Sequence, residues 1–193
     1  MLKNNLKKHI EENGNTISLF KEEINFIQKY ELNLGSIDLN EKEEGTRFAD
    51  AYIERCDKES ENVLAEETAS FLNQSIQYLQ KNKNEFIYLE SPWFELLDVD
   101  AVSLEVDDVF GTYDVMLGLK LQKKFEGQLK MQLNHLLNGE GAKFDLMFDA
   151  NEGFWNLNFT LNYASDFNED MTIGEAYQLI HRLLFAVVEG LEG

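Results

Sequence analysis

The chain has 193 residues, with 36 acidic against 17 basic side chains, a formal charge of −19 at neutral pH, one Cys and one Pro. At 44% hydrophobic and 12% aromatic residues it carries the apolar content of a folded chain, which excludes a disordered polymer. Acids outnumber bases about twofold, so the positive charge that drives ordinary nucleic-acid binding is missing, and the same field works against anionic membrane surfaces.

Leu2, Leu6 and Ile10 recur every four residues up to Asn13-Gly14, which predicts a short first helix. The start MLKNNLKKHIEEN turns charged before an apolar run of signal-peptide length. A lone Cys cannot form an internal disulfide, so the two features together set the expectation of a cytoplasmic protein. Thr16 to Phe20 reads as extended, and residues 22 to 31 as a second helix with Ile24, Ile27 and Tyr30 on one side. Leu32 to Gly45 loses periodicity and holds two glycines, so residues 1–45 read as a helical arm and linker ahead of a domain spanning 46–193.

Thr46 to Asn82 reads as strongly helical. Phe48, Tyr52, Cys56 and Val63 mark one stripe and Phe71, Leu72, Ile76 and Leu79 another, while Glu54 and Lys58 stand four apart in the order worth about 0.3 kcal/mol on a helix. Phe86 to Leu89 is a candidate strand, and Ser91-Pro92 a turn or helix start, because Pro suits a first helical position.

The period then changes. Val102, Leu104 and Val106 alternate with polar residues, and Val115, Leu117, Leu119 and Leu121 do so across a turn centred on Gly111, the mark of an antiparallel pair with one wet face. A helix through Phe125, Leu129, Leu133, Leu136 and Leu137 stops at Gly139. Phe144, Leu146 and Phe148 alternate into Ala150-Asn151-Glu152-Gly153, and Trp155, Leu157, Phe159, Leu161 and Tyr163 alternate out of it, giving the clearest hairpin. The last helix runs from about Met171 to Leu191, opened by the Thr172/Glu175 capping box. The fold class is therefore α+β: a curved antiparallel sheet of about five strands packed by helices, with a helical N-terminal region.

From about residue 60 the order α, β, β, β, α, β, β, α resembles the type III secretion chaperone-like fold. That resemblance implies a small acidic protein that acts by holding another protein. The stretches RFADAYIERCDKE and DMTIGEAYQLIHRLL are also similar to a group of small bacterial proteins, some labelled branched-chain aminotransferase. A pyridoxal-phosphate enzyme needs a Schiff-base Lys beside a phosphate cup, and no segment here combines them.

Carboxylates are the only abundant chemistry. From Asn84 to Leu119 there are nine acids and no Lys or Arg, and Asp98, Asp100, Asp107 and Asp108 are the candidate ligands for a hard cation. The run from Asp98 has Val102 at the fifth loop position and no glycine at the sixth, and Asp166, Asn168 and Asp170 are followed by Met171 where that glycine belongs, so neither fits an EF-hand. His9, His135 and His181 lie in three different elements without a partner at metal-binding spacing. Cys56 falls among apolar residues and reads as a small core side chain. G-x-S-x-G, Walker A and H-E-x-x-H are absent, and Gly139-Glu140-Gly141 lacks the third glycine of a dinucleotide loop.

Two features bear on binding. The outward positions of the last strand read Asn156, Asn158, Thr160 and Asn162, a neutral hydrogen-bonding row in an acidic protein and the candidate partner-binding residues. Lys120, Lys123, Lys124 and Lys130 cluster between two base-free stretches, a polarity that can orient self-association. The expectation is a non-catalytic, chaperone-like protein-binding module without a cofactor, acting as a homodimer on a protein partner, with no nucleic acid and no membrane. The alternative is a carboxylate-based or metal-assisted hydrolase using the acids between Glu90 and Asp114.

Overall fold

The computed structural model describes residues 1–13, 16–32, 37–139 and 143–192; Gly14, residues 33–36 of the expected linker and Glu140-Gly141 lie outside the described residues. In chain order the elements are α1 (Leu2–Asn13), β1 (Thr16–Leu19), α2 (Lys21–Lys29), β2 (Asp38–Glu41), β3 (Tyr52–Asp57), β4 (Val63–Glu67), α3 (Tyr78–Lys81), β5 (Glu85–Glu90), α4 (Pro92–Glu95), β6 (Val99–Val106), β7 (Tyr113–Leu119), α5 (Glu126–Leu136), β8 (Phe144–Asp149), β9 (Phe154–Thr160) and α6 (Ile173–Glu189). An open antiparallel sheet of seven strands, in the order β4-β3-β5-β6-β7-β9-β8, carries helices on one face, and β1 and β2 form a separate parallel pair.

The α+β class, the two hairpins and the final helix are as expected from the sequence, and the strand count is larger. The helix expected over Thr46 to Asn82 is a correction: this segment makes β3 and β4, a short 3-10 turn over Ala69–Asn73 and the single turn α3. The cause lies in the arithmetic of spacing, since residues four apart share a face of a strand as well as of a helix. Tyr52 and Cys56 stand at outer-face positions of β3, opposite Glu90 and Phe86, whereas Ile53, opposite Leu89, is fully buried. Phe48 precedes the strand and stacks on Phe94 in the core. Glu59-Ser60-Glu61 forms the hairpin turn, with Glu61 at φ 58°.

One apolar cluster joins everything. Leu2, Leu6 and Ile10 of α1 and Phe20 and Phe26 beside and on α2 are buried in the same core as Ile87, Val102, Leu117 and Trp155 of the sheet. The helix α6 lies over the sheet's inner face: Tyr177 is fully buried, and its hydroxyl donates to the carbonyls of Ile87 at 2.8 Å and Val102 at 3.3 Å. Its start is fixed by the expected capping box, Thr172 Oγ1 accepting from Glu175 N and Glu175 Oε2 accepting from Thr172 N. No helix of the described residues is long and apolar enough to cross a membrane.

The stop after α5 makes a specific demand. Gly139 has φ +99°, and a Cβ there would meet the Tyr163 ring at 2.8 Å, so both backbone and space require glycine. Gly139→Ala is expected to lose about 1–3 kcal/mol in urea unfolding at pH 7.

Candidate functional site

The helices cover the inner face, and the outer face of the sheet stays open. Its side chains follow from register. One row crosses all seven strands as Glu66, Glu54, Tyr88, Ser103, Met116, Asn158 and Asp145. The next row runs Tyr52, Glu90 and Ala101, then Gly118, Asn156 and Met147. A bulge in β6 places Asp100 and Ala101 opposite Gly118, and the missing side chain of Gly118 lets the Phe154 ring lie on the backbone, 3.4 Å from where a Cβ would stand. The outcome is a shallow groove of about 810 Å³ floored by Ser103, Met116 and Gly118 and walled by Tyr88, Phe154, Asn156 and Asn158.

Charge is distributed unevenly around the groove. Lys120 is its single basic lining residue and is tied to Asp100 at 2.6 Å. On the β3 to β5 side Tyr52 and Tyr88 donate to Glu54 and Glu90. The bond to Glu54 holds the Tyr52 hydroxyl protonated, its pKa pushed up to about 12. Burial first and the bond to Glu90 second raise the Tyr88 hydroxyl pKa as well, so both phenols stay neutral beside the acidic side chains of this rim.

Of the candidate partner-binding residues, Asn156 and Asn158 line this groove and are exposed. Thr160 lies one row further on, where its hydroxyl donates to Asp114 at 3.0 Å. Asn162 is outside the row, in the 3-10 turn after β9, and its side-chain oxygen accepts from Tyr113 N at 2.7 Å. The strand ends at Thr160, so alternation stops predicting direction there.

The candidate cation ligands are dispersed into local roles. Asp98, at φ 61°, accepts from Asn5 of α1; Asp100 pairs with Lys120; Asp107 caps the β6–β7 turn through the N–H groups of Val109 and Phe110; Asp108 lies 3.5 Å from Lys58. Among the described residues, no group of three or more His, Cys, Asp or Glu side chains is arranged to hold a metal ion. Two acids of the Glu90 to Asp114 stretch, Glu105 and Asp114, are cross-strand neighbours on the outer face. Burial lifts both carboxyls above their usual range, and Lys58, 3.8 Å from Glu105, pulls that one back. Cys56 is buried outside the main core, and burial together with Glu54 raises its thiol pKa, the opposite of an activated nucleophile.

No family model, curated protein or solved structure matches the chain.

A second gathering of polar groups lies inside the protein, and sequence reasoning missed it. Arg47, on the turn after β2, reaches Glu23 of α2 at 2.6 Å, Glu22 at 2.5 Å and His181 of α6 at 3.4 Å. Glu23 and His181 are fully buried and Arg47 nearly so. The Arg47 guanidinium also stacks 4.0 Å from the Phe20 ring centre, and Glu23 turns its other oxygen to Phe20 N, closing the first turn of α2. Burial raises the Glu23 carboxyl pKa, with Arg47 pulling it down. We assign the His181 proton to Nε2, which donates to the Trp93 carbonyl at 3.2 Å and leaves Nδ1 a bare buried lone pair. Arg47 and Trp93 line a surface cavity of about 310 Å³ with His9 and Lys42, while Glu23 and His181 lie fully buried behind them, so this cluster ties α2, the Arg47 turn, α4 and α6 together. The one signal for it was Glu23 in the first turn of α2, three residues after Phe20, where a carboxylate can reach back to the N–H of the residue before the helix.

Proposed function

We propose that the chain is a cytoplasmic, non-catalytic protein-binding module, chaperone-like in its mode of action, that holds a polypeptide segment on the open face of its sheet. The observation that supports this most is the groove itself: a wide concavity with apolar and amide lining, Met116, Phe154, Asn156 and Asn158, inside an acidic rim. Such a surface suits a segment with apolar side chains flanked by Lys or Arg, since complementary charge speeds encounter and rejects acidic competitors. The hydrolase alternative has less support, because Asp98, Asp100, Asp107 and Asp108 are spent on separate local contacts, and among the described residues the Glu105 and Asp114 pair belongs to no group of three that could hold a metal ion.

A fluorescein-labelled peptide alternating Lys and Leu serves as the probe. It is expected to bind with an affinity that falls steeply as salt rises, and a Glu-for-Lys version is expected not to bind. Asn158→Arg, which places a cation in the groove without touching the core, should weaken the Lys-Leu peptide about tenfold and leave the melting temperature unchanged. Equal binding of both peptides, or no effect of the substitution, would reject the open face as the working surface.

A further inference from the structure

We propose that β8 is a self-complementary edge through which two copies of the chain join their sheets in one fixed register. The edge is chemically open. Lys143 O accepts from Thr160 N at 3.1 Å and Asp149 O from Gly153 N at 2.8 Å, so the odd-numbered residues of this strand turn their backbone groups inward toward β9. Phe144, Leu146 and Phe148 therefore aim their N–H and C=O groups away from the sheet, and among the described residues none of these is bonded. Unpaired strand edges recruit another strand unless they are blocked by Pro, by a bulge or by charge. β8 has no Pro and its pairing with β9 shows no bulge. The opposite edge differs, since the shift between Arg55 and Cys56 leaves Leu64 of β4 as an extra residue.

The side chains select both the occupant and the register. Two-fold antiparallel pairing keeps each side chain on its proper face only if opposing residue numbers sum to an even value. Centring the axis on Asp145 sets that acid against itself, centring it on Met147 sets Asp145 against Asp149 of the other copy, and centring it on Phe144 or Phe148, at or next to the ends of Phe144–Asp149, runs half or more of each strand past the end of the other. Centring on Leu146 places Leu146 on Leu146, Phe144 on Phe148, Asp145 on Met147 and Lys143 on Asp149, so aromatic rings meet aromatic rings, Asp145 faces a neutral side chain, and Lys143, which donates to Leu137 O in its own chain, meets the opposite charge of Asp149, whose Oδ1 caps its own turn. In that register every open-edge backbone group of Phe144, Leu146 and Phe148 is paired. The three apolar side chains are only half-buried in one chain, as expected of a layer that ends too early. Lys123 lies over the Phe148 ring at 5.7 Å, so a positive charge stands beside this edge in a chain of charge −19. The contact is independent of what the open face holds.

The test is register-specific. Asp145 and Met147 are exposed on the outer face and pair across the axis, at the short Cα spacing of about 4.5 Å found for non-hydrogen-bonded positions. An Asp145→Cys chain mixed with a Met147→Cys chain should cross-link under mild oxidation far faster than either alone. In sedimentation, the native chain should dimerise, with higher salt strengthening the dimer by screening net charge. Leu146→Pro removes an N–H that serves only the open edge, so it should give a monomer that still melts cooperatively. Lys143→Glu should weaken the dimer about tenfold. A strict monomer at every concentration, a Leu146→Pro chain that is folded and still dimeric, or equal cross-linking of the Cys chains alone would overturn the proposal.

Discussion

Arg47→Met is expected to remove about 3–5 kcal/mol of folding stability, read as a fall of roughly 10 °C in melting temperature. The reason is what the substitution leaves behind. Glu23 is fully buried, and its two oxygens are held by Arg47 and by the Phe20 N–H. Without the guanidinium, the carboxylate loses its counter-charge at 2.6 Å and must either stay ionised in a dry environment or take up a proton. Burial already favours the protonated form, so the variant should also become relatively more stable as pH is lowered toward 5. The sign follows from a folded-state carboxyl pKa above the unfolded one, which makes the folded chain the stronger proton binder. A cycle with Glu23→Gln identifies the cause, because the double variant should be less damaged than the sum of the two single ones. Additive losses would mean that Arg47 stabilises through its stacking on Phe20 alone.

How much of this was legible in the sequence depends on which distances carried the information. Wherever alternation was strict and bounded by a glycine, as in Val102 to Leu121 and Phe144 to Thr160, strands and pairing could be read, because period two has one structural meaning over that length. From Thr46 to Asn82 it could not: residues spaced by four fit either period, and the decisive contacts of Arg55, with Glu67, Tyr78 and Glu85, come from other elements. The same division holds for function. Asn156 and Asn158 were recognisable as outward neighbours on one strand. The groove they line was not, since Gly118 and the β6 bulge create it by letting Phe154 lie flat, and neither feature leaves a trace in hydrophobic periodicity. The Glu23, Arg47 and His181 cluster joins residues 24 and 134 positions apart, and only the fold brings them together.

His181→Phe is expected to flatten the acid limb of the stability curve. The imidazole is fully buried between Arg47, Glu23, the Trp93 carbonyl and the rings of Phe94 and Phe185, with Arg182 adding a further positive field. Burial is the main reason that its pKa lies well below the ordinary 6.5, and the two arginines push the same way. A base whose folded pKa is depressed contributes stability that is complete above 6.5 and is lost as pH falls, because the unfolded chain takes up the proton first. One proton of difference corresponds to about 1.4 kcal/mol per pH unit below 6.5, the largest slope a single side chain can impose. His9 has a lowered pKa of the same sign, but it is present in both proteins and cancels in the difference. Urea unfolding of the two proteins from pH 7.5 to 5 should therefore give curves that converge, with phenylalanine gaining on histidine at each step. Parallel curves would mean that the folded protein protonates His181 as readily as the unfolded chain does, and the assignment of a neutral ring donating to Trp93 would fall.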